Sequence, residues 1–551
     1  MLNHVKIFFR VFMDKTLMKG TILYQYIKQI NQRNALFSLL LGFIFSSFLI
    51  LGKSINTTGF LPKINLLLIL NFILITIIIS MLMLIIFILL DKISAKEYKI
   101  SKLNFWQIFG IILFFWIPLF FAFYPGVLAY DSPAQFTQII NNQFNTFQPI
   151  FHTSILRLFF LFGIKISNMT ISFAIYTLFQ LGIMAASFSY FLKSFQQYIP
   201  KYFFYMVITL IILSPTNLLF GVNIARDPIF TAMFIVCITA LIKYAINKGI
   251  SWKEYIIFVI AGIVIIGVRP NGLAIFAFIT PFLIGISKFR KMAIIVLLTI
   301  ILGLGATTIL KNHFQAVSPD NVEEMSIPLQ QTIRIIKYSP GVFDHEEMQL
   351  FTKNFGNKNK IAELYIPTLS DPLKYAVNEL SSTKPVDKKT IIKLWLSAIS
   401  KEPKIALEAF LNLNVGYWYP LTPYPLKGAE WHIPIETKWH KEYPQFGLKP
   451  QSFFPEIKNI YEAYGNNILQ QKSWVLGLPL HPAPYFWLYL FVAFYSLYKK
   501  NYKLIIPLLF MAGIIISGFV APIALIRYLY PLIALIIPLF VLSIFMPKTN
   551  E

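Results

Sequence analysis

The sequence predicts an all-α polytopic membrane protein with about 12 transmembrane helices, interfacial helices in an outer loop, and a large extracytoplasmic loop domain. Of the 551 residues, 57% are apolar and only 13% are charged, whereas about a quarter of a soluble globular protein is charged. Mean hydropathy is +0.65. Apolar runs recur along the whole chain, and their lengths suit helices that cross the hydrocarbon core of a membrane, for which about 20 apolar residues are needed. A soluble enzyme, a nucleic-acid-binding protein and a disordered scaffold are therefore excluded. The runs do not alternate as the strands of an outer-membrane barrel do.

The apolar segments and the lysines between them predict the topology. Segment 1–34 is basic and no cleavage site follows it, so we expect it to stay in the cytoplasm and not to be a removable signal. Segment 150–166 is apolar but carries Arg157, and crossing there would move the lysines of three later loops outside. It should therefore lie along the outer interface, with both termini cytoplasmic in a multi-pass cell-membrane protein. Twelve segments are expected to span: 35–52, 65–90, 104–124, 170–192, 202–220, 229–247, 254–268, 271–287, 292–310, 482–498, 504–521 and 523–546.

These segments divide the chain into four parts. After the cytoplasmic segment 1–34, residues 35–310 form a transmembrane catalytic module with an outer loop at 125–169. Residues 311–481 form an extracytoplasmic domain, since about 170 residues can fold as a unit. Residues 482–551 hold the C-terminal transmembrane helices. The single cysteine, Cys237, excludes an intrachain disulfide.

Two carboxylates stand out. Seventeen of the 24 Asp and Glu residues lie in 311–481, and only Asp131 and Asp227 sit at the outer face of the transmembrane half. Carboxylates at a membrane boundary are costly and tend to be functional. Each could instead cap a helix, because each begins a helix-start sequence with proline nearby. Asp131 lies near the end of an aromatic-containing turn, Tyr124–Ser132, and precedes an amphipathic helix. It is therefore well placed to take a proton from an acceptor hydroxyl or amine.

The arginines show a second bias. The chain has eight, and five are on or near the predicted outer side: Arg157, Arg226, Arg269, Arg334 and Arg527. Arginine binds phosphate oxygens through a bidentate fork and keeps its charge when partly buried. Each could instead be an interfacial residue that extends its charge to water. Several arginines on one face suggest an anionic lipid headgroup, such as a polyprenyl phosphate.

These residues carry a resemblance to a known superfamily. The lone Asp of Tyr130-Asp131-Ser132, the following Gln148-Pro149-Ile150-Phe151-His152, and the Asp of Ala225-Arg226-Asp227-Pro228 resemble the outer loops of GT-C polytopic glycosyltransferases. That superfamily includes the protein O-mannosyltransferases and the aminoarabinose transferase of lipid A. The segment Ile327–Arg334 resembles one of uncharacterised bacterial members. Neither loop holds a DxD or ExD pair, so no cofactor is expected and a divalent metal is not indicated.

The resemblance implies an inverting transfer of sugar from a polyprenyl-phosphate donor to an extracytoplasmic glycan, lipid or protein acceptor, at the bilayer and without nucleic acid. Asp131 would be the general base and Asp227 would position the acceptor or support the base. The phosphate would be held by arginines, and three further residues would contact acceptor or sugar. The residues that would hold the phosphate are Arg226, Arg269, Arg334 and Arg527. The residues that would contact acceptor or sugar are Tyr130, His152 and Gln330.

Other functions stay open at this point. A lipid-linked oligosaccharide flippase also needs many spans and buried basic residues, but transporters tend to place charges at mid-membrane. An O-antigen-type polymerase or ligase and a catalytically inactive member are further alternatives. Aromatic residues of the large loop could stack on sugars or form ordinary domain core. They are Tyr417, Trp418, Tyr419, Trp431 with His432, and Trp439 with His440.

Overall fold

The computed structural model describes most of the chain. It covers residues 31–95, 97–128, 130–318, 322–381, 387–423, 426, 444–466 and 474–547. Residues 1–30 of the predicted cytoplasmic segment 1–34 lie outside the described residues, as do the pairs Trp431-His432 and Trp439-His440.

The first group of helices is strongly apolar and shares one large core of buried side chains. Its members before residue 314 are α1 (Gln32–Thr58), α2 (Leu66–Ser94), α3 (Phe105–Ala122), α4 (Ser132–Asn141), α5 (Ile150–Lys165), α6 (Met169–Phe195), α7 (Lys201–Leu213), α8 (Pro215–Val222), α9 (Arg226–Asn247), α10 (Trp252–Val268), α11 (Pro270–Gly285) and α12 (Arg290–His313).

A second group of shorter helices follows. It comprises α13 (Ser326–Tyr338), α14 (His345–Phe355), α15 (Lys358–Glu363), α16 (Asp371–Ser381), α17 (Lys388–Lys401), α18 (Pro403–Leu413), α19 (Val415–Trp418), α20 (Pro455–Gly465) and α21 (Trp474–Gly477). Much of it, from Val322 to Ala406, packs around its own apolar cluster. The chain then returns to the first group with α22 (Pro482–Tyr498), α23 (Ile505–Phe519) and α24 (Tyr530–Phe545).

The prediction of an all-α membrane protein is confirmed. Eight helices in the described ranges are long and apolar enough to cross a membrane, or nine if a bent pair is one span. That pair is α7 and α8, which meet at 45°. Three more predicted spans form helices of 16 or 17 residues, namely α10, α11 and α22. The count of twelve therefore stays a prediction, as does the interfacial position of the 16-residue α5.

Helix ends and close contacts follow the local sequence. Asn31 caps α1 through a reciprocal pair of hydrogen bonds with Asn34. Gly42 lets α1 and α2 approach closely, because a Cβ atom at Gly42 would clash with the Ser80 hydroxyl. The predicted amphipathic helix after Asp131 is α4, with Phe136 and Ile139 buried.

A two-residue parallel ladder ties two distant loops together. Strand β1 (Val127–Leu128) pairs with strand β2 (Asn223–Ile224), with Val127 opposite Asn223 and Leu128 opposite Ile224. Helix α6 holds both strands: the Thr177 hydroxyl donates to the Pro125 carbonyl at 2.7 Å, and Gln180 Nε2 donates to the Asn223 carbonyl at 2.8 Å. We call the end of the bundle that carries this ladder and the second group of helices the loop end.

Candidate functional site

The ladder explains why the two predicted carboxylate loops meet. Because Leu128 lies opposite Ile224 in a parallel register, the residues that follow them leave the ladder side by side. Asp131 is three residues beyond Leu128, and Arg226 and Asp227 are two and three residues beyond Ile224. The register therefore brings both carboxylates to one place at the loop end.

Three arginines converge on these two carboxylates. Asp131 Oδ2 lies 2.9 Å from Arg226 Nη2 and 2.8 Å from Arg527 Nη2. The same Nη2 atom of Arg527 lies 3.3 Å from Asp227 Oδ2, and Arg269 forms an ion pair with Asp227 Oδ1. We call these five residues the arginine cluster.

The arginine cluster carries surplus positive charge in a largely buried setting. Three guanidinium groups face two carboxylates, so the formal charge is +1. The side chain of Asp227 is 1% exposed and those of Arg269 and Arg527 are 6% exposed, whereas Asp131 is 25% exposed. Charges so far from water are costly unless compensated. An additional anion would therefore be stabilised here.

Aromatic rings line the arginine cluster. The Arg527 guanidinium lies 4.0 Å from the centroid of the Tyr130 ring. Arg269 lies 5.5 Å from the rings of both Phe230 and Tyr528. Tyr130 adopts φ +55°, a left-handed conformation uncommon for a non-glycine residue. Such backbone strain concentrates at functional sites.

The structure contradicts the alternative that the two aspartates are helix caps. Asp131 occupies the N-cap position of α4 but makes no side-chain cap hydrogen bond. Asp227 is inside the first turn of α9, whose N-cap residue is Ala225, again without a side-chain cap. Both carboxylates instead face arginines.

The arginine cluster retains unused hydrogen-bonding capacity. Within the described residues, the Nε groups of Arg226, Arg269 and Arg527 have no hydrogen-bond partner. Gln148 Nε2 donates to Asp131 Oδ1 at 3.3 Å, and its buried Oε1 has no partner there either. Buried donors and acceptors of this kind call for an explanation, and a polar ligand is one.

The Asp131 carboxylate is held in its ionised form. Burial raises its pKa, but the positive charges of Arg226 and Arg527 outweigh that effect and lower the pKa below its ordinary range. The carboxylate is therefore a weak proton acceptor while both arginines contact it.

His152 lies beside the arginine cluster without contacting it. It is fully buried, with Nδ1 3.0 Å from Gln135 Oε1 and Nε2 3.0 Å from the Tyr176 hydroxyl. Burial, followed by the positive charge of Arg226, lowers its pKa to about 3. A neutral ring that donates to Gln135 and accepts from Tyr176 satisfies both contacts. Through these two contacts, His152 on α5 connects α4 with α6.

Two of the predicted site residues lie elsewhere. Arg334, on α13, pairs with Glu408 at 3.2 Å, and its Nη2 also donates to the Gly59 carbonyl at 2.6 Å. Gln330 donates to the Ile366 carbonyl at 2.7 Å. The structure does not bring either residue into the arginine cluster, because α13 packs within the second group of helices.

Three of the large-loop aromatic residues that the sequence offered as sugar-stacking candidates are packed inside the protein. Tyr417, Trp418 and Tyr419 are all buried. The Tyr417 hydroxyl donates to the Leu525 carbonyl at 3.0 Å. These rings therefore present no open face for a sugar.

Three neighbours of the arginine cluster were not predicted as site residues: Gln148, Phe230 and Tyr528. Gln148 belongs to the same quoted motif as His152, and Tyr528 directly follows Arg527. Phe230 lies three residues after Asp227, which is one turn along α9. A search for aromatic residues within one turn of each arginine would have found the last two.

An apolar groove of about 370 Å³ lies near the arginine cluster. It is bounded by α7, α8, α22 and α24, with Leu210, Pro479 and Ile537 in its walls. Asn217 lines the groove and accepts a hydrogen bond of 3.2 Å from the Tyr530 hydroxyl. Tyr530 follows Arg527 by one turn and stacks on Phe220. The groove could hold an apolar chain attached to a charged headgroup.

No metal-binding group is evident in the part of the chain that the structure describes. There, no three or more His, Cys, Asp and Glu side chains come together in a way that could hold an ion.

Comparison with known proteins leaves the activity open. Neither the curated proteins nor the solved structures give a significant match. One family model matches residues 60–551, that of DUF6020, a family of unknown function. Since this match covers far more than half of the chain, the protein belongs to the DUF6020 family.

Proposed function

We propose that the protein is a membrane glycosyltransferase that moves a sugar from a polyprenyl-phosphate donor to an acceptor at the loop end. The observation that carries the proposal is the arginine cluster, in which three guanidinium groups outnumber two carboxylates. A sugar phosphodiester carries one negative charge and would neutralise the surplus of +1. Arginine forks suit phosphate oxygens in geometry as well as in charge.

The surroundings of the arginine cluster support a lipid-linked donor. The groove between α7 and α24 is apolar, as an isoprenoid chain requires, and Tyr530 links its lining to the turn that holds Arg527. A transporter would instead be expected to place its charges near mid-membrane. Here the charges lie where the ladder joins two loops at the loop end.

The proposed reaction balances with residues of the arginine cluster alone. Asp131 takes the proton of the acceptor hydroxyl, and the acceptor oxygen bonds to the anomeric carbon with inversion. The bond between that carbon and the phosphate oxygen breaks, and its electron pair leaves with the polyprenyl phosphate. Arg226, Arg269 and Arg527 stabilise the charge that develops on this leaving group.

Asp227 has a supporting role in this scheme. Its side chain is 1% exposed and lies between Arg269 and Arg527. It therefore holds the arginines in position and does not contact the acceptor. Arg334 and Gln330 take no part, since they lie in the second group of helices.

The proposal includes the topology: twelve spans, cytoplasmic termini, α5 along the interface, and an extracytoplasmic loop end. Labelling of Gln196→Cys in a Cys237→Ala background tests it. Position 196 follows α6 at the end opposite the ladder, so an impermeant thiol reagent added outside should not label it. Labelling at position 196 would show that the proposed orientation in the membrane is wrong.

The activity is tested by Asp131→Asn in proteoliposomes supplied with lipid extracted from the producing membranes. Release of polyprenyl phosphate, measured by mass spectrometry, should fall by about 10²–10⁴, the usual effect of removing a general base. Because Asp131→Asn leaves Arg226 without its carboxylate partner, some loss of stability is expected, and release is compared only after thermal unfolding in detergent has shown that the variant folds. Asp91→Asn is a matched control, since Asp91 also pairs with a cation but lies in the last turn of α2, at the opposite end of the bundle. Near-normal release by a folded Asp131→Asn protein would contradict the proposed mechanism.

A further inference from the structure

The two carboxylates of the arginine cluster differ in how firmly they are held. Asp227 is buried and lies between Arg269 and Arg527. Asp131 is a quarter exposed, and only its Oδ2 atom contacts the arginines, at 2.9 Å and 2.8 Å. Its Oδ1 atom accepts one long hydrogen bond of 3.3 Å from Gln148. Asp131 is therefore the carboxylate that can leave.

Asp131 Oδ2 occupies the position that a phosphate oxygen would need. It bridges Nη2 of Arg226 and Nη2 of Arg527, which come from helices far apart in sequence. Guanidinium groups bind phosphate oxygens as well as carboxylate oxygens, so the space between these two arginines suits either. The carboxylate and a phosphate cannot both fill this position, so they must compete for it.

On the basis of the proposed function, we infer that the donor phosphate displaces Asp131 from Arg226 and Arg527, and that only the displaced carboxylate serves as the base. Without donor, Asp131 lies between the two arginines and accepts protons poorly. With donor bound, the phosphate takes its place between them. Asp131 then turns towards the acceptor, away from the charges that weakened it as a base. Donor binding thus activates the base, and the donor must bind before the acceptor reacts.

This exchange predicts opposite effects of one substitution on binding and on transfer. Asp131→Asn removes the competing charge and should tighten binding of farnesyl phosphate, a short polyprenyl phosphate without sugar, by about tenfold, which corresponds to about 1.4 kcal/mol. The same variant should fail in transfer. Binding is measured by calorimetry on the full chain in detergent. Asp91→Asn should bind farnesyl phosphate as the wild type does.

The outcomes separate this inference from the proposed function. If wild type binds farnesyl phosphate and Asp131→Asn binds it equally or more weakly, the exchange is wrong, while the phosphate site stands. If neither protein binds, both proposals fail. Asp131→Ala should tighten binding in the same direction and guards against an effect particular to asparagine. If neither variant folds, the carboxylate is required by the fold and is not exchangeable, which also overturns the inference.

Discussion

Two buried arginine–carboxylate sites in this protein have different compositions. The arginine cluster holds three arginines and two carboxylates, and one of those carboxylates is a quarter exposed. The other site pairs Arg334 with Glu408, one with one, at 1% and 2% exposure. We call this pair, with the turn at 59–61 that it binds, the clasp.

Both charged side chains of the clasp also form hydrogen bonds to the backbone of the chain itself. Arg334 Nη2 donates to the Gly59 carbonyl at 2.6 Å, and Glu408 Oε1 accepts from the Leu61 amide at 3.0 Å. Phe60 and Tyr338 flank the guanidinium at 5.0 Å and 4.9 Å. The pair therefore fastens the turn between α1 and α2 to the second group of helices. Equal charges bonded to backbone indicate structure, whereas surplus charge beside an exposed carboxylate indicates a ligand.

The largest expected effect comes from breaking the clasp. Glu408→Gln would leave the Arg334 charge buried and unpaired, which typically costs about 3–5 kcal/mol. Thermal unfolding in detergent should show a marked loss of stability, while the folded fraction binds farnesyl phosphate normally. Glu462→Gln is the control, because it removes one partner of the partly exposed Lys458–Glu462 pair, worth about 0.5 kcal/mol or less. A selective loss of farnesyl phosphate affinity in Glu408→Gln would erase the distinction between the two sites.

Removing Arg527 from the arginine cluster is expected to have a smaller effect, and to lower ligand affinity more than stability. Arg527→Ala leaves Asp131 paired with Arg226 and Asp227 paired with Arg269, so no carboxylate is orphaned. Farnesyl phosphate affinity should fall by about 10- to 100-fold, the worth of about 1.5–3 kcal/mol for a charged hydrogen bond. Stability should change less than in Glu408→Gln. Arg527→Lys should recover affinity only in part, because the fork is lost.

Lys499→Ala is the matched control for Arg527→Ala. Lys499 pairs with Asp91 at 3.0 Å at the end of the bundle opposite the ladder. Removing this cation should leave farnesyl phosphate affinity unchanged. Unchanged affinity in Arg527→Ala as well would show that the arginine cluster is as structural as the clasp.

The smallest expected effect is a pH dependence of the free energy of unfolding, caused by His152 beside the arginine cluster. The pKa of His152 is lowered to about 3 in the folded protein, mainly by burial. Below its ordinary pKa of about 6.5, the unfolded chain binds a proton that the folded protein does not. The free energy of unfolding should therefore decrease as the pH is lowered below 6.5, by up to about 1.4 kcal/mol per pH unit.

His152→Gln should reduce that slope when the free energy of unfolding is measured between pH 7 and pH 5. His345→Gln, at an exposed position on α14, should leave it as in the wild type. Equal slopes in the wild type and in His152→Gln would mean that His152 is not held neutral.

The sequence was sufficient to predict the helical membrane class, because apolar runs of membrane length need no tertiary information. It also identified Asp131, Asp227, Arg226, Arg269 and Arg527, since charge at a membrane boundary is visible in a linear pattern. It could not show that these five residues meet, because the meeting depends on a two-residue ladder between residues almost a hundred positions apart.

The prediction for Arg334 shows the limit of residue type as a signal. Arg334 and Arg527 look alike in sequence, since both are isolated arginines on the predicted outer side. Their difference lies in Glu408, which is 74 positions away from Arg334 and becomes its partner only through the packing of α13 against α18. Short-range pattern therefore separates charged from apolar segments but cannot tell which charges are already neutralised.

The origin of the arginine cluster along the chain has a consequence for biogenesis. Asp131 is synthesised early, its partner Arg226 comes almost a hundred residues later, and Arg527 arrives only with the last helix. Because chains emerge from the N-terminus first, Asp131 enters the membrane boundary before any of its counterions exist. The site is assembled in steps, and its second bridging arginine is delivered last. A nascent chain therefore holds no complete arginine cluster until membrane insertion is nearly finished.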